Sequence, residues 1–254
     1  MINRHYINLI WYKSIAELRA EAARAYLGFL WWIVEPIMYM VAFYIVFALI
    51  FQRGGEGFVP FLLCGLVAWK WFGSTVSQCA NSITTNAGLM NQVYIPKYLF
   101  PAIVIIVGTI KFVVVLGLFL LFLFVYGISP SETWLMVPVI LLIQFVLIAA
   151  VAGLVAAIVP VVPDIRLILD NVLMLFFFLS GIFFDIKDVP DEIRTVLFLN
   201  PMAVIIDSLR VSLIDNQMPD IFRLSLVLVF SVLALMFAGR LLKHYDRVYP
   251  KILV

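Results

Sequence analysis

The sequence predicts an all-α integral membrane protein with about six transmembrane helices, an N-terminal amphipathic interface helix and a re-entrant broken hairpin before the last span. Hydrophobic residues make up 65% of the 254 residues and charged residues 13%, and the mean hydropathy is +1.13. A soluble domain has about 45–50% apolar and about 25% charged residues, so the bilayer must act as the solvent. The apolar runs are continuous rather than alternating, which favours helices over a barrel.

The N-terminal segment, residues 1–28, is predicted to be a cytoplasmic amphipathic helix that lies in the plane of the membrane interface. Its apolar residues recur at steps of three and four: Ile7, Ile10, Trp11, Ile15, Leu18, Ala22, Ala25 and Tyr26. The other face carries Lys13, Glu17, Glu21 and Arg24. The alternative is an ordinary solvated helix packed on protein.

Residues 29–254 are predicted to form one transmembrane domain. The expected spans are residues 31–51, 59–78, 100–126, 134–159, 167–184 and 221–242. Residues 81–96, between the second and third spans, form a polar loop rich in Asn, Ser and Thr with almost no charge.

Residues 193–214 are apolar but are interrupted by Asn200-Pro201 and carry Arg194, Asp207 and Arg210. Each half has about ten residues, which is too few to cross a bilayer. We therefore predict two half-helices that enter and leave the membrane on the same side, with Asn200 and Pro201 near the turn. Broken backbone at that depth must be buried in protein or face a cavity.

Basic residues at both ends of the chain indicate its orientation. The N-terminal segment has Arg4, Lys13, Arg19 and Arg24, and the C-terminal tail has Arg240, Lys243, Arg247 and Lys251. Lys and Arg near span ends favour the cytoplasm. Both termini are thus predicted to be cytoplasmic, which requires an even number of spans.

Four charged residues fall inside predicted spans: Glu35, Lys70, Lys111 and Asp170. Intramembrane charges are costly and usually face the bundle interior or a cavity. For Lys111, about ten residues inside its span, we expect a buried ion pair or a pore-facing position. Glu35 and Asp170 lie near span ends, where snorkelling toward the interface is an equal alternative.

Sequence signals for catalysis are nearly absent. The two histidines, His5 and His244, lie at opposite ends, no Cys/His cluster suggests a metal, and no lysine follows a glycine as a P-loop requires. Cys64 and Cys79 would lie about 22 Å apart on one helix, too far for a disulfide. We expect no cofactor, no metal and no enzymatic activity, and no basic patch suits nucleic acid.

Aromatic side chains cluster in the first and fifth predicted spans. The channel-lining candidates are Trp32, Tyr39, Phe43, Tyr44 and Phe47 in the first span and Phe176, Phe177 and Phe183 near the fifth. Aromatic rings stack on the apolar faces of sugars, and tyrosine hydroxyls can bond to sugar hydroxyls. Lipid contact and interfacial belts are the alternative explanation.

Three stretches resemble type-2 ABC exporter permeases, and most closely their polysaccharide branch, the O-antigen, capsule and teichoic-acid exporters. The first is Tyr26-Leu27-Gly28-Phe29-Leu30-Trp31-Trp32-Ile33-Val34-Glu35-Pro36. The second runs from Leu63-Cys64-Gly65-Leu66 to Val93-Tyr94-Ile95-Pro96-Lys97. The third contains Pro163-Asp164-Ile165-Arg166, Asn200-Pro201-Met202 and Arg210.

The resemblance implies the channel-forming subunit of an ATP-driven exporter of a lipid-linked polysaccharide in the bacterial inner membrane. It implies a homodimer that pairs with two copies of a separate P-loop ATPase subunit. The contacts with the ATPase are expected at Glu17, Glu21 and Arg24 in the N-terminal helix and at Leu89, Val93 and Tyr94 in the polar loop. Export of a drug or a lipid, a membrane enzyme acting on polyprenyl-linked sugars, and an ion-coupled transporter remain alternatives.

Overall fold

A computed structural model describes residues 4–24, 26, 28–46, 57–90, 92 and 94–252. This part of the chain contains helices, turns and irregular segments but no strand. Among the predicted site residues, Phe47 and Val93 lie outside the described residues, as do the side chains of Phe43 and Tyr44.

Eleven α-helices are described, and four short 3-10 segments accompany them. The α-helices are α1 (Arg4–Arg24), α2 (Trp31–Tyr44), α3 (Phe58–Ala80), α4 (Ala87–Met90), α5 (Leu99–Tyr126), α6 (Val137–Ile158), α7 (Ile165–Leu179), α8 (Asp191–Leu197), α9 (Pro201–Leu213), α10 (Ile221–Tyr245) and α11 (Tyr249–Ile252). The 3-10 segments are Gly28–Leu30, Thr84–Asn86, Glu132–Met136 and Ile186–Asp188.

Four segments of the described chain are long and apolar enough to cross a membrane: Phe58–Ala80, Leu99–Tyr126, Glu132–Ile158 and Ile221–Tyr245. They correspond to the second, third, fourth and last predicted spans. Helix α7 has 15 residues and ends at Leu179, because Ser180 leads into Gly181, whose φ of +69° a helix does not tolerate. Helix α2 is described for 14 residues. The prediction of six spans therefore remains a prediction.

Helix α3 is the centre of the bundle and packs against α5, α6, α9, α2 and α7, while α10 packs along α6. Trp71 of α3 stacks on Phe112 of α5 with ring centroids 4.0 Å apart. Gln144 of α6 is buried and its Nε2 donates to the carbonyl oxygen of Ala68 at 2.8 Å. The core therefore surrounds α3.

Helix α1 lies along the first half of α5. Leu18 packs with Ile103 and Val107, and the hydroxyl of Ser14 donates to the carbonyl oxygen of Ile103 at 3.5 Å. On the outward side of α1, Trp11 is 53% exposed. An apolar side chain outside the bundle suits a lipid environment, although the predicted position of α1 at a membrane interface stays untested.

The broken segment before the last span forms a bent helix pair, with α8 and α9 meeting at 105°. The bend lies where it was predicted, because the carboxamide oxygen of Asn200 caps α9 by accepting from Met202 N and Pro201 occupies the first turn. The halves are unequal, with 7 residues in α8 and 13 in the almost fully buried α9.

Candidate functional site

The intramembrane charges found in the sequence are paired with partners of opposite sign. Lys70 Nζ lies 2.5 Å from Glu35 Oε1, and Lys111 Nζ lies 2.6 Å from Glu21 Oε1. Arg166, one helical turn before Asp170, forms an ion pair with it, with Arg166 Nη1 2.8 Å from Asp170 Oδ1. Lys111 does form an ion pair, but it is not the buried one expected, because Glu21 is 51% exposed; Glu35 and Asp170 are also members of ion pairs.

Both of the first two ion pairs line one cavity of about 230 Å³ between α1, α2, α3 and α5, which Trp32 and Gln78 also line. Lys70 lies about ten residues before the end of α3 and Lys111 about twelve residues after the start of α5, so both are roughly 15–18 Å along neighbouring antiparallel helices. The cavity therefore lies about midway along the long helices rather than at either end of them.

A second cavity of about 340 Å³ adjoins the first, because Val67, Lys70, Ser74 and Val115 line both. The second cavity lies between α2, α3, α5 and α7 and is mostly apolar, with Trp69 on its wall. Together the two cavities place charged, polar and aromatic groups along one face of α3.

The channel-lining candidates separate into three groups. Tyr39 and Phe177 line the second cavity, and Trp32 lines the cavity that holds the ion pairs. Phe183 packs on Phe177 with ring centroids 5.1 Å apart, and Phe176 is exposed at 37%. The structure thus places one aromatic candidate of α2, Tyr39, and one of α7, Phe177, in the same cavity. That these side chains line a channel remains a prediction.

Helix α7 is covered by protein on one side only. It packs against α3 through a face that includes its buried residue Leu169. Its other face exposes mainly apolar side chains, namely Leu167, Ile168, Val172, Met174, Leu175, Phe178 and Leu179. This surface, together with the exposed apolar side chains of α2, can only be buried by lipid or by another protein chain.

Arg210 joins the broken segment to α3 and to the turn that follows α7. Its guanidinium donates through Nε to the carbonyl oxygen of Phe61 at 3.1 Å, and through its terminal nitrogens to those of Gly181 at 2.5 Å and Ile182 at 2.9 Å. It also lies 3.5 Å from the ring centroid of Phe61. Gly65 makes room for it, since a Cβ there would be 2.8 Å from an Arg210 nitrogen.

The polar loop predicted at residues 81–96 has a buried side and an exposed side. Ile83 and Met90 pack with Phe100, Leu242 and Tyr249 into a cluster that joins the ends of α5, α6 and α10. Leu89 and Tyr94 point outward and are 37% and 68% exposed. The described residues of the loop therefore pack on the bundle on one side and present two apolar or aromatic side chains, Leu89 and Tyr94, on the other.

The C-terminal segment, residues 246–252, forms hydrogen bonds with this loop and with α6, a role that the sequence did not predict. Asp246 accepts from Tyr94 OH and from Lys97 N, each at 2.9 Å, and Tyr249 OH donates to the carbonyl oxygen of Ala157 at 2.9 Å. The hydrogen bond to Asp246 raises the pKa of Tyr94, so the phenol stays protonated and remains the donor. In the sequence, the feature that could have indicated this role is that Asp246 is an acidic residue within a basic tail.

The candidate ATPase contacts in α1 lie in different surroundings. Glu21 is engaged by Lys111 of its own chain. Arg24, in the last turn of α1, is exposed, and Glu17 is partly buried. Their role in coupling stays a prediction.

Comparison with known proteins matches residues 9–214 to the family described as ABC-2 type transporter. The chain is 29% identical over 221 residues to the O-antigen export system permease protein RfbA of Myxococcus xanthus, covering 86% of this chain and 85% of the relative. It is 25% identical over 195 residues to the protein of the same name from Klebsiella pneumoniae, covering 76% and 75%.

A third relative is the polysialic acid transport protein KpsM of Escherichia coli, 24% identical over 226 residues and covering 87% of both chains. The family match covers most of the chain and includes the residues that line both cavities, the polar loop and the Arg210 contacts. The chain therefore belongs to the ABC-2 type transporter family, as a multi-pass membrane component of a transporter and not an enzyme.

Proposed function

We propose that this chain is the transmembrane, channel-forming subunit of an ATP-driven exporter that moves a lipid-linked polysaccharide across the bacterial inner membrane. The observation that carries the proposal is the similarity over most of the chain to three bacterial proteins named for O-antigen export or polysialic acid transport. The aromatic and polar cavities along α3 are consistent with a sugar as the transported molecule. Aromatic rings stack on the apolar face of a sugar ring, and polar side chains form hydrogen bonds with its hydroxyls.

Two copies of the chain are proposed to enclose the path. Lys70 and Glu35 expose 44% and 48% of their side chains in the single copy, and charges inside spans avoid acyl chains. The apolar surface of α7 lies beside the same cavities. A two-fold arrangement that brings α2 and α7 toward the partner copy would cover both the exposed Lys70–Glu35 pair and the apolar surface of α7. Closed two-fold dimers are also the commonest oligomers.

The energy for transport is proposed to come from two copies of a separate P-loop ATPase, as membership of the family implies. These partners would bind at the end of the bundle that carries the loop of residues 81–96 and the basic C-terminal tail. Leu89 and Tyr94 are the exposed contacts there, and Val93, Glu17, Glu21 and Arg24 complete the proposed coupling set. Both termini would then be cytoplasmic.

We propose that the broken segment is re-entrant, and the positions of its two ends support this. Lys187 precedes α8 and Asp215 follows α9, yet Lys187 Nζ lies 3.0 Å from Asp215 Oδ2. A segment that crossed the membrane would hold these residues about 30 Å apart. The contact supports a re-entrant hairpin, which is what the proposed six-span topology requires of this segment.

The proposed function is tested in the native bacterium by deleting the gene for this chain and measuring polysaccharide at the cell surface. We expect surface polysaccharide to disappear, lipid-linked glycan to accumulate on the cytoplasmic side, and the wild-type chain to restore export. Restoration should fail when the ATPase lacks its P-loop lysine. Normal surface polysaccharide together with lost efflux of a drug or a lipid would overturn the proposal.

Dimerisation can be tested by disulfide cross-linking. With cysteine at Tyr39 or Phe177, we expect a cross-linked product of twice the mass, or labelling by reagents that enter from water. Cys64 and Cys79 are buried and free, so the background should be low. Val229→Cys on the exposed face of α10 is the matched control and should not cross-link. Labelling of Tyr39→Cys and Phe177→Cys only by lipid-soluble probes would contradict the proposed interface.

Topology can be tested with short tags inserted after Asp188 and after Asp215. We expect both tags to be accessible from outside the cell, because the ion pair between Lys187 and Asp215 holds the two sites at one end of the bundle. A tag after Val254 should be accessible only from the cytoplasm. Tags at Asp188 and Asp215 that report opposite sides would contradict the six-span topology.

A further inference from the structure

The lysine and glutamate pairs of the cavity between α1, α2, α3 and α5 are not explained by packing alone. Lys70 could have been an apolar residue, as its neighbours on α3 are, without loss of the helix. Instead two lysines, two glutamates and Gln78 line a cavity of about 230 Å³ about midway along the long helices. Polar groups inside a membrane protein are costly and normally mark a ligand or ion path.

The charges of the cavity cancel, and this decides which ligand it suits. Each lysine ammonium is already neutralised by a carboxylate at 2.5–2.6 Å, so the four groups carry no net charge. An anion such as phosphate would have to compete with the two glutamates. A neutral polyhydroxyl ligand would not, because each hydroxyl can accept from an ammonium and donate to a carboxylate.

Aromatic rings complete the arrangement. Lys70 Nζ lies 5.3 Å from the ring centroid of Tyr39, and Lys111 Nζ lies 5.6 Å from that of Trp32. Each ion pair therefore has an aromatic face beside it, and the adjoining cavity adds Trp69 and Phe177. A pyranose ring has an apolar face and a rim of hydroxyls, and these two surfaces match an aromatic ring next to a charged pair.

We propose that Glu35, Lys70, Glu21 and Lys111, with Trp32 and Tyr39, form a binding site for a neutral pyranose unit of the transported glycan. This inference rests on the proposed function and names a site for its substrate. The sugar hydroxyls insert between carboxylate and ammonium, and the ring stacks on Trp32 or Tyr39. Because donors and acceptors alternate in the site, the site holds sugar without attracting the phosphate groups of the lipid carrier.

Binding is tested by protection of a cysteine in the purified permease–ATPase complex in lipid nanodiscs. Val115→Cys, on the wall of both cavities, is labelled with a small water-soluble methanethiosulfonate. The probe is the phosphate-free oligosaccharide cut from the exported glycan, compared with polyprenyl diphosphate that carries no sugar. We expect the oligosaccharide to slow labelling at least about tenfold at saturation, where little of the site remains free. Met218→Cys, in the exposed loop at the hairpin end of the bundle, is the control and should label equally with or without the oligosaccharide.

Protection by polyprenyl diphosphate but not by the oligosaccharide would overturn the proposal in favour of an anion site, and protection by neither would show that no ligand occupies the cavity. Failure of the inference is distinguishable from failure of the proposed function. In the latter case the wild-type complex itself would export no polysaccharide, whereas in the former it would export normally with Val115→Cys unprotected.

Substitutions separate a binding role from a structural one. Lys70→Met should lower export by about tenfold, the effect of losing one charge-assisted hydrogen bond. Exchanging the charges, with Glu35→Lys and Lys70→Glu together, keeps the ion pair but reverses donor and acceptor, so export should stay reduced while the complex assembles normally. Full recovery of export by the exchanged pair would overturn the proposal, because a structural ion pair would tolerate the exchange.

Discussion

Replacing Arg210 with methionine is expected to abolish accumulation of the folded protein in the membrane. Methionine fills much of the arginine volume but donates no hydrogen bond, so the carbonyl oxygens of Gly181 and Ile182 lose their donor, and that of Phe61 keeps only its bond within α3. Each buried carbonyl left unsatisfied costs about 1–3 kcal/mol. The two together, with the lost contact to Phe61, approach the lower end of the roughly 5–15 kcal/mol by which a domain is stable.

The measurement is the amount of monodisperse protein after detergent extraction and its midpoint of thermal unfolding. Arg240→Met is the matched control, because Arg240 is exposed in the last turns of α10, so its replacement should change little. Arg210→Lys should be intermediate, since one ammonium cannot reach all three carbonyls. Wild-type yield and midpoint for Arg210→Met would show that the hairpin does not depend on this anchor.

Gly65→Ala offers a second route to the same contact. The added Cβ would lie 2.8 Å from Arg210 Nη2 and 3.3 Å from the Cα of Ile182, and both neighbours are held by the bonds just described. We expect a smaller loss of stability than with Arg210→Met, because the guanidinium can shift while the backbone of Ile182 cannot. The measurement is the thermal midpoint of each single variant, with Gly73→Ala as the control. A Cβ at Gly73 would meet only the Trp69 side chain, so Gly65→Ala should lower the midpoint more than Gly73→Ala does.

The hairpin shows how far local signals in a sequence reach. Its break at Asn200-Pro201 was predictable, since proline and an N-capping asparagine act within one turn of helix. The unequal halves were not, because hydropathy does not report which half is covered by α3, α6 and α10. The end of α7 at Leu179 was missed for a similar reason: the apolar run continues to Phe184, and only the turn at Gly181 interrupts the helix.

For the charged residues inside the predicted spans, the sequence indicates which residues matter but not which residues they pair with. Their cost made Glu35, Lys70, Lys111 and Asp170 stand out in the sequence. The Arg166–Asp170 pair could be inferred from its four-residue spacing, but Glu35–Lys70 and Glu21–Lys111 are separated by 35 and 90 residues. Such partners depend on how α1 and α2 pack against α5 and α3, which no local pattern encodes.

Coupling to the ATPase should fail when a charge is placed on the outer surface of the loop, and Leu89→Asp is the sharpest change. Leu89 lies next to Met90, which is anchored in the bundle, yet its own side chain is 37% exposed. The variant should therefore fold, insert and dimerise as the wild type does. If the ATPase covers Leu89, an unpaired carboxylate would be buried there, which costs several kcal/mol.

Tyr94 needs a different design, because its hydroxyl already donates to Asp246. Tyr94→Asp would place two carboxylates together and disturb the loop within its own chain, as well as any contact with a partner. Tyr94→Phe removes the hydrogen bond but keeps the exposed ring. If the ring contacts the ATPase, Tyr94→Phe should retain assembly while Tyr94→Asp loses it; equal loss in both would assign the effect to the bond with Asp246.

The readouts are co-purification with the ATPase, stimulation of ATP hydrolysis and export of polysaccharide, all compared at equal amounts of inserted permease. Leu89→Asp should lower co-purification at least about a hundredfold, as an uncompensated cost of roughly 3 kcal/mol requires. Met218→Asp is the matched control, since Met218 is also an exposed apolar loop residue but lies at the hairpin end of the bundle. If Leu89→Asp assembled and exported as well as Met218→Asp, the coupling contact would have to be sought in α1, where Glu17 and Arg24 are the remaining candidates, because Glu21 is held by Lys111.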